Sequence, residues 1–137
     1  MKAINVYLTF DGNCREAMEF YKKCFGGELY MMRFSEAPAD LKLPKEAKDR
    51  IIHAKLTAGS AVLMASDTMP GMVFQHGNNF SVYVDCESEQ EIKKLFGAVG
   101  KSGKVTMPLQ DTFWGAYFGV LTDRFGISWM FSLEKPR

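Results

Sequence analysis

The stretch Asn79–Gly100, NFSVYVDCESEQEIKKLFGAVG, lies over Asn5–Gly26, NVYLTFDGNCREAMEFYKKCFG, at a constant offset of 74 residues with no gap. Asn79 falls on Asn5, Val82 on Leu8, Val84 on Phe10 and Asp85 on Asp11; Ile92 then falls on Met18, Leu95 on Tyr21 and Gly100 on Gly26. The match is one of pattern more than identity. Each copy reads as an alternating strand, an Asp, a polar turn, an amphipathic helix and a terminating Gly. Register kept over 22 positions, with both Asp and both Gly in place, marks an internal duplication.

Working outward, Val6, Leu8 and Phe10 share one face of the first strand, Ile4–Phe10, and Asn5, Tyr7 and Thr9 share the other. The first face is expected to carry a helix that runs from the turn Asp11-Gly12-Asn13 to about Phe25 and stops at Gly26-Gly27. Its apolar stripe is Ala17, Met18, Tyr21, Cys24 and Phe25. Glu28–Ser35, Ile51–Thr57 and Ala61–Ser66 complete the unit as strands, the last two joined as a hairpin across Ala58-Gly59-Ser60. The second unit repeats this order with strands Phe80–Val84, Lys104–Gln110, Ala116–Leu121 and Ile127–Leu133, and a helix over Glu87–Val99. The predicted fold is α+β: two tandem β-α-β-β-β units, residues 1–67 and 78–137, forming a concave mixed sheet within one domain. The loop 68–77, with Pro70, Gly71 and Gly77, joins them. Glu36–Arg50 breaks the pattern with two prolines and the charged residues Glu36, Asp40, Lys42, Lys45, Glu46, Lys48 and Asp49. It reads either as a solvated connection or as a mobile lid.

The chain has 137 residues, enough for one domain with a proper core. A net charge of +1 gives no electrostatic case for nucleic acid or a membrane surface. Nine Met and eleven Phe suggest an adaptable apolar interior or pocket. Three cysteines, Cys14, Cys24 and Cys86, form no CxxC pair and point to a reducing compartment. With no apolar run near 18 residues and no signal-peptide pattern, the expected location is cytoplasmic.

Several runs carry a resemblance: Tyr7–Cys14 (YLTFDGNC), Phe25–Leu29 (FGGEL), Ile52-His53-Ala54, Val62–Asp67 (VLMASD), Val105–Gly115 (VTMPLQDTFWG), and Leu121–Gly126 (LTDRFG) followed by Trp129-Met130. With the paired units, these resemble the vicinal oxygen chelate superfamily, the fold of glyoxalase I, bleomycin-resistance proteins and extradiol dioxygenases, and within it the PhnB-like branch. The resemblance implies a homodimer with a cleft on each sheet's concave face. It also implies a divalent metal at four positions, which carry over to Asn5, Met64, Asn79 and Met130. Neutral amides and soft thioethers suit Zn²⁺, Mn²⁺, Ni²⁺ or Fe²⁺ poorly, so no catalytic metal and no cofactor are expected. PhnB-like chains also bear the label of a 3-demethylubiquinone-9 3-methyltransferase domain. This chain has no Gly-rich strand–helix turn of the kind that holds S-adenosylmethionine.

Alternation places Asn5, Tyr7, His53, Met64, Asn79, Ser81, Tyr117 and Met130 on the cleft side, with Gln110, Asp111 and Trp114 in the loop over one end. Ile51, Lys55 and Thr57 share the face of His53, and Tyr83 that of Ser81. His53 reads either as an acid or base near neutral pH or as a structural His bonded to Tyr or Asn across the cleft. Trp114 reads either as a clamp for a planar ligand or as a fold-defining turn that caps the core or a dimer contact. His76 is expected to face solvent and Trp129 the core, while Asp11 and Asp85 are expected to cap the turns before their helices. Three functions remain: a metal-free cleft for a small, partly apolar molecule; a metal-independent enzyme using His53 or Tyr117 as acid or base; and the methyltransferase of the family label.

Overall fold

The computed structural model describes residues 1–38, 42–69 and 71–135, and Asp40 and Pro70 lie outside the described residues. In the first unit, strand β1 (Val6–Phe10) leads into helix α1 (Cys14–Phe25), and strands β2 (Glu28–Arg33), β3 (Ile51–Ala58) and β4 (Ala61–Asp67) follow. They hydrogen-bond in the order β1-β4-β3-β2, with β1 parallel to β4 and the other pairs antiparallel. In the second unit, β5 (Val82–Asp85), α2 (Glu89–Val99), β6 (Lys104–Asp111), β7 (Ala116–Thr122) and β8 (Ser128–Glu134) give the same order, β5-β8-β7-β6, with the same directions. Two four-stranded mixed sheets, each with one helix, are the α+β duplication that the offset of 74 residues predicts. The chain divides into compact units at Met1–Gln75 and His76–Arg137.

Each helix covers one face of its sheet. Cys14, Ala17, Met18, Tyr21 and Cys24 form the buried stripe of α1, at the three-and-four spacing that aligns side chains on a helix. Leu8, Phe10, Ala54, Leu56, Leu63 and Ala65 are the buried side chains of the strands beneath it. On α2, Ile92, Phe96 and Val99 are buried, and Phe96 meets Phe131 edge-on at 5.6 Å between ring centroids. Gly119 on β7 makes room for that ring, since a Cβ there would sit 2.8 Å from Phe96 Cε2 and 2.9 Å from Leu109 Cδ2. Trp129 is 1% exposed, in the core as its alternation predicts.

Two local predictions fail for identifiable reasons. Ile51 does not share the open face of His53; it is fully buried. The register slips between Met32, opposite His53, and Arg33, opposite Ile51. The extra residue of this bulge turns Ile51 to the helix side. Asp11 and Asp85 do not cap their helices. Around α1 the cap is Asp67, 5% exposed, whose Oδ1 accepts from Gly12 N at 2.8 Å and Cys14 N at 3.0 Å while Oδ2 accepts from Ile51 N at 2.9 Å. Asp11 instead accepts from Thr68 Oγ1 at 2.8 Å and Arg50 Nη1 at 3.1 Å. At α2 the cap is Ser88, which accepts from Glu91 N at 3.0 Å, while Glu91 accepts from Glu87 N at 2.9 Å. This is close to a capping box.

The segment between β2 and β3 is tied at both ends. Phe34 N donates to Arg50 O at 2.9 Å and Ser35 N to Lys48 O at 3.0 Å, and Phe34 and Ala47 are buried.

Candidate functional site

With one face of each sheet under its helix, the other face carries no helix of its own unit, and the strand register says which side chains it carries. In the first unit one row runs straight across four strands: Tyr7 opposite Met64, Met64 opposite Lys55, Lys55 opposite Tyr30. Tyr7 is 48% and Tyr30 54% exposed, and Met64 is half-buried between Tyr7 and Lys55. His53 precedes Lys55 by two residues, on the same face. Its Nδ1 lies 3.1 Å from Tyr7 Oη, and the rings stack at 5.9 Å and 26°. The structure thus brings together three predicted site residues, Tyr7, His53 and Met64, and it makes the Tyr–His bond that the structural reading of His53 requires. If the Tyr7 hydroxyl donates, Nε2 carries the ring proton; if Nδ1–H donates, Nε2 is a base. Asn5 lies one residue before β1 and is exposed.

In the second unit the open face carries the row Tyr83, Met130, Val120 and Met107. Phe118 lies opposite both Ser132 and Gln110 on the same face. Ser81 and Ser128 join through their hydroxyls at 2.7 Å. Trp114, 54% exposed in the turn after β6, leans edge-on against Phe118 at 5.7 Å and meets Phe113 at 5.0 Å. That exposure removes the reading of Trp114 as a cap on its own unit's core. Gln110 is exposed, and its Nε2 donates to Pro108 O at 3.3 Å. Asn79 lies three residues before β5, in an exposed segment.

Tyr117 is misplaced by the sequence reading. It pairs with Leu133 and Asp111, whereas Met130 pairs with Val120. The offsets from 117 to 120 and from 130 to 133 are both three, an odd step along a strand, so Tyr117 sits on the α2 side of the sheet. There Lys135 Nζ lies 5.1 Å from its ring centroid and pairs with Asp111 Oδ1 at 2.7 Å. The hydrogen bond to Asp111 raises the Lys135 pKa above its usual value. Tyr117 belongs to this surface charge cluster, not to the face of Met130, Gln110 and Trp114.

The four positions carried over for a metal are not equivalent within the duplication. Leu8 pairs with Ala65, and Val82, its counterpart, pairs with Trp129. On that register the counterpart of Met64 is Ser128, and the counterpart of Met130 is Ser66. Neither substitution improves the donor set, which holds no imidazole and no carboxylate. In the first unit Met64 also faces the Lys55 ammonium, an adverse neighbour for a dication. The residues present do not fit the superfamily's metal, and among the described residues no group of three His, Cys, Asp or Glu is placed to hold one.

Sequence reasoning overlooked the two buried carboxylates. Asp67 is in phase with Leu63 and Ala65, and Asp123 with Leu121, so each carboxylate is carried to the apolar face at a strand's end. That phase was a readable signal, because a carboxylate arriving there must meet donors. Asp123 Oδ1 accepts from Phe125 N at 2.9 Å and Ile127 N at 3.0 Å, and Oδ2 accepts from Trp129 Nε1 at 2.8 Å. Both are framework residues. Asp67 also takes the amides of Gly12 and Cys14 at the N-terminus of α1, which are then not open to an anionic ligand.

The comparisons agree with this architecture. A family model described as 3-demethylubiquinone-9 3-methyltransferase matches residues 2–132. Protein YjdN of Escherichia coli K12 is 32% identical over 146 residues, covering 98% of this chain and 97% of its own. The crystal structure of protein PA1353 from Pseudomonas aeruginosa is 39% identical with a TM-score of 0.85, over 98% of this chain and 100% of that one. The PhnB protein from Bacillus cereus is 30% identical with a TM-score of 0.76, over 96% and 99%. A glyoxalase/bleomycin-resistance/dioxygenase domain from Frankia, 12% identical, has a TM-score of 0.68 over 98% and 93%, which is a likeness of fold. The chain belongs to the PhnB-like family described as 3-demethylubiquinone-9 3-methyltransferase, on the glyoxalase/bleomycin-resistance fold.

Proposed function

We propose that this protein binds a small, partly apolar organic molecule on the open sheet faces, without a catalytic metal. The observation that carries this reading is the composition of those faces. Thioether and aromatic side chains (Met64, Met130, Tyr7, Tyr83, Phe118, Trp114) alternate there with a few polar groups, and the helix of the unit covers none of them. Water gains little from such a surface, and a flat apolar ligand gains much. Aromatic side chains with exposed faces also accept a planar ligand by stacking. The reading includes a homodimer and a cytoplasmic location, in keeping with three free, buried cysteines.

The test is a thermal-shift and calorimetric screen of a small-molecule library against protein stripped of metal and kept in EDTA. Stabilising ligands whose affinity is unchanged by EDTA are the expected result. Binding that appears only after loading with Zn²⁺, Mn²⁺, Ni²⁺ or Fe²⁺ would overturn the metal-free reading.

A second reading, metal-independent acid–base catalysis, is favoured by one arrangement. Tyr7 holds His53 through Nδ1, which leaves Nε2 as the ring nitrogen that would exchange a proton with a molecule on the face. In that case His53→Ala abolishes turnover and leaves affinity within a few-fold. The methyltransferase of the family's description finds no support. The turn before α1 has one glycine at positive φ, Gly12, and the amides around it are already taken by Asp67.

A further inference from the structure

The open face of the first unit carries one cation, Lys55, in its central row, and this deepens the binding reading on which it rests. Near the Tyr7–Met64 row it presents the Lys55 ammonium, a donor only, and groups that both donate and accept, the Tyr30 hydroxyl and the Tyr7–His53 pair. Lys55 is exposed and has no ion-pair partner among the described residues. One carboxylate shares the face, Glu28, at the start of β2 opposite Thr57; no ion pair joins it to Lys55. Adjacent strands lie about 5 Å apart, so Lys55 is about 10 Å from the Tyr7 backbone, with the Met64 thioether between them. An apolar body of one or two fused rings spans that gap, flat on Met64 and edge-on to the stacked Tyr7–His53 pair.

We propose that the first unit's open face is a site for a planar aromatic carboxylate. Lys55 supplies the counter-charge and Tyr30 a hydrogen bond, while Met64 and the Tyr7–His53 pair hold the ring. The anion follows from the chemistry of the face. A carboxylate beside Lys55 gains the attraction of its charge, which an uncharged ring does not. A cation would face that charge directly.

The experiment compares two probes of the same shape, 2-naphthoate and 2-naphthamide, titrated into the full chain and followed by the NMR signals of the Met64 methyl and the Tyr7 and His53 rings. The expected result is that both probes move these signals, with the carboxylate bound about tenfold tighter, ~1.4 kcal/mol. Lys55→Gln should remove that advantage and keep naphthamide binding unchanged. Lys55→Arg should retain most of it, and Lys101→Gln, an exposed lysine in the other unit, should leave it intact. An unchanged Met18 methyl signal reports that each variant is folded, because Met18 is fully buried beneath α1. Equal binding of the two probes, or an advantage that survives Lys55→Gln, overturns the anion assignment and leaves the broader binding reading standing. Failure of both probes to move any of the three residues overturns the placement of a ring on this face and leaves the broader binding reading to the library screen.

Discussion

Removing the carboxylate of Asp67 should cost the first unit about a third of a typical domain's stability. Asp67 accepts from three backbone amides, of which Cys14 N and Ile51 N are buried and Gly12 N is partly exposed. Water can replace the bond at Gly12, so most of the loss comes from the other two. A hydrogen bond to a charged group contributes ~1.5–3 kcal/mol net, and an orphaned buried amide costs a similar amount. Asp67→Ala therefore loses about 4 kcal/mol, against a usual total of ~5–15 kcal/mol. Asp67→Asn keeps an oxygen for Gly12 and Cys14 but turns an NH₂ toward the Ile51 amide, so it should lose about half as much, ~2 kcal/mol. Both tryptophans, Trp114 and Trp129, lie in the second unit, so fluorescence follows that unit. The assay is urea unfolding by far-UV circular dichroism, with hydrogen exchange at the Ala54, Leu56 and Leu63 amides. At a slope of roughly 2 kcal/mol per molar urea, the Ala variant's midpoint falls by about 2 M. A loss below ~1 kcal/mol for Asp67→Ala, or an Asn variant as stable as the parent, would refute the role given to this carboxylate.

Other outcomes follow from the same geometry. The bonds from Thr68 and Arg50 lower the Asp11 pKa below 3.8, so its contribution to stability is intact above about pH 4 and disappears as pH falls through the lowered value; carboxyl-carbon NMR should show this, with Thr68→Val returning the midpoint upward, and an unmoved midpoint contradicts it. Burial, helped by the Asp67 charge, pushes the Cys14 thiol up to about 12, and burial with Glu91 and Asp85 pushes Cys86 to about 11. A thiol-specific reagent at pH 8 should therefore leave both unmodified until the protein unfolds, and rapid native labelling counts against the packing. Because these folded values lie above the ordinary 9.0, the thiols' contribution is whole below pH 9 and declines as pH rises toward 11–12. Gly119→Ala places a methyl against Phe96 and Leu109 and should cost ~1–3 kcal/mol, the reverse of the usual gain from replacing glycine in a strand; a thermal midpoint at or above the parent's is the opposing result.

Much of the fold was legible because its signals are local and repeated. Alternation at Val6–Phe10 and the stripe Ala17, Met18, Tyr21, Cys24 each fix an element without reference to the rest of the chain, and the duplication then supplies the second unit. The failures are places where a distant partner decides. The bulge between the Met32–His53 and Arg33–Ile51 pairs flips Ile51, and strand alternation read from Ile51 alone does not reveal an inserted residue. Tyr117 was assigned to a face by sequence parity within a strand whose phase against β8 is set by pairing. The α1 cap comes from Asp67, 53 residues beyond Cys14, although Asp11 is far closer in sequence. For the site, sequence sufficed to put Tyr7, His53 and Met64 on one face. It put Lys55 on that face too, but that Lys55 lies opposite Met64 and Tyr30 opposite Lys55 rests on the β3–β4 and β2–β3 registers.

The central claim, that the open sheet faces bind a small molecule without metal, is tested most directly by the methionine methyl NMR spectrum during a library screen in EDTA. The prediction is that hits move the Met64 or Met130 methyl signals, on the open faces, while Met18, fully buried beneath α1, stays in place. Hits that leave Met64 and Met130 unmoved, or that bind only when a divalent metal replaces the EDTA, would contradict it.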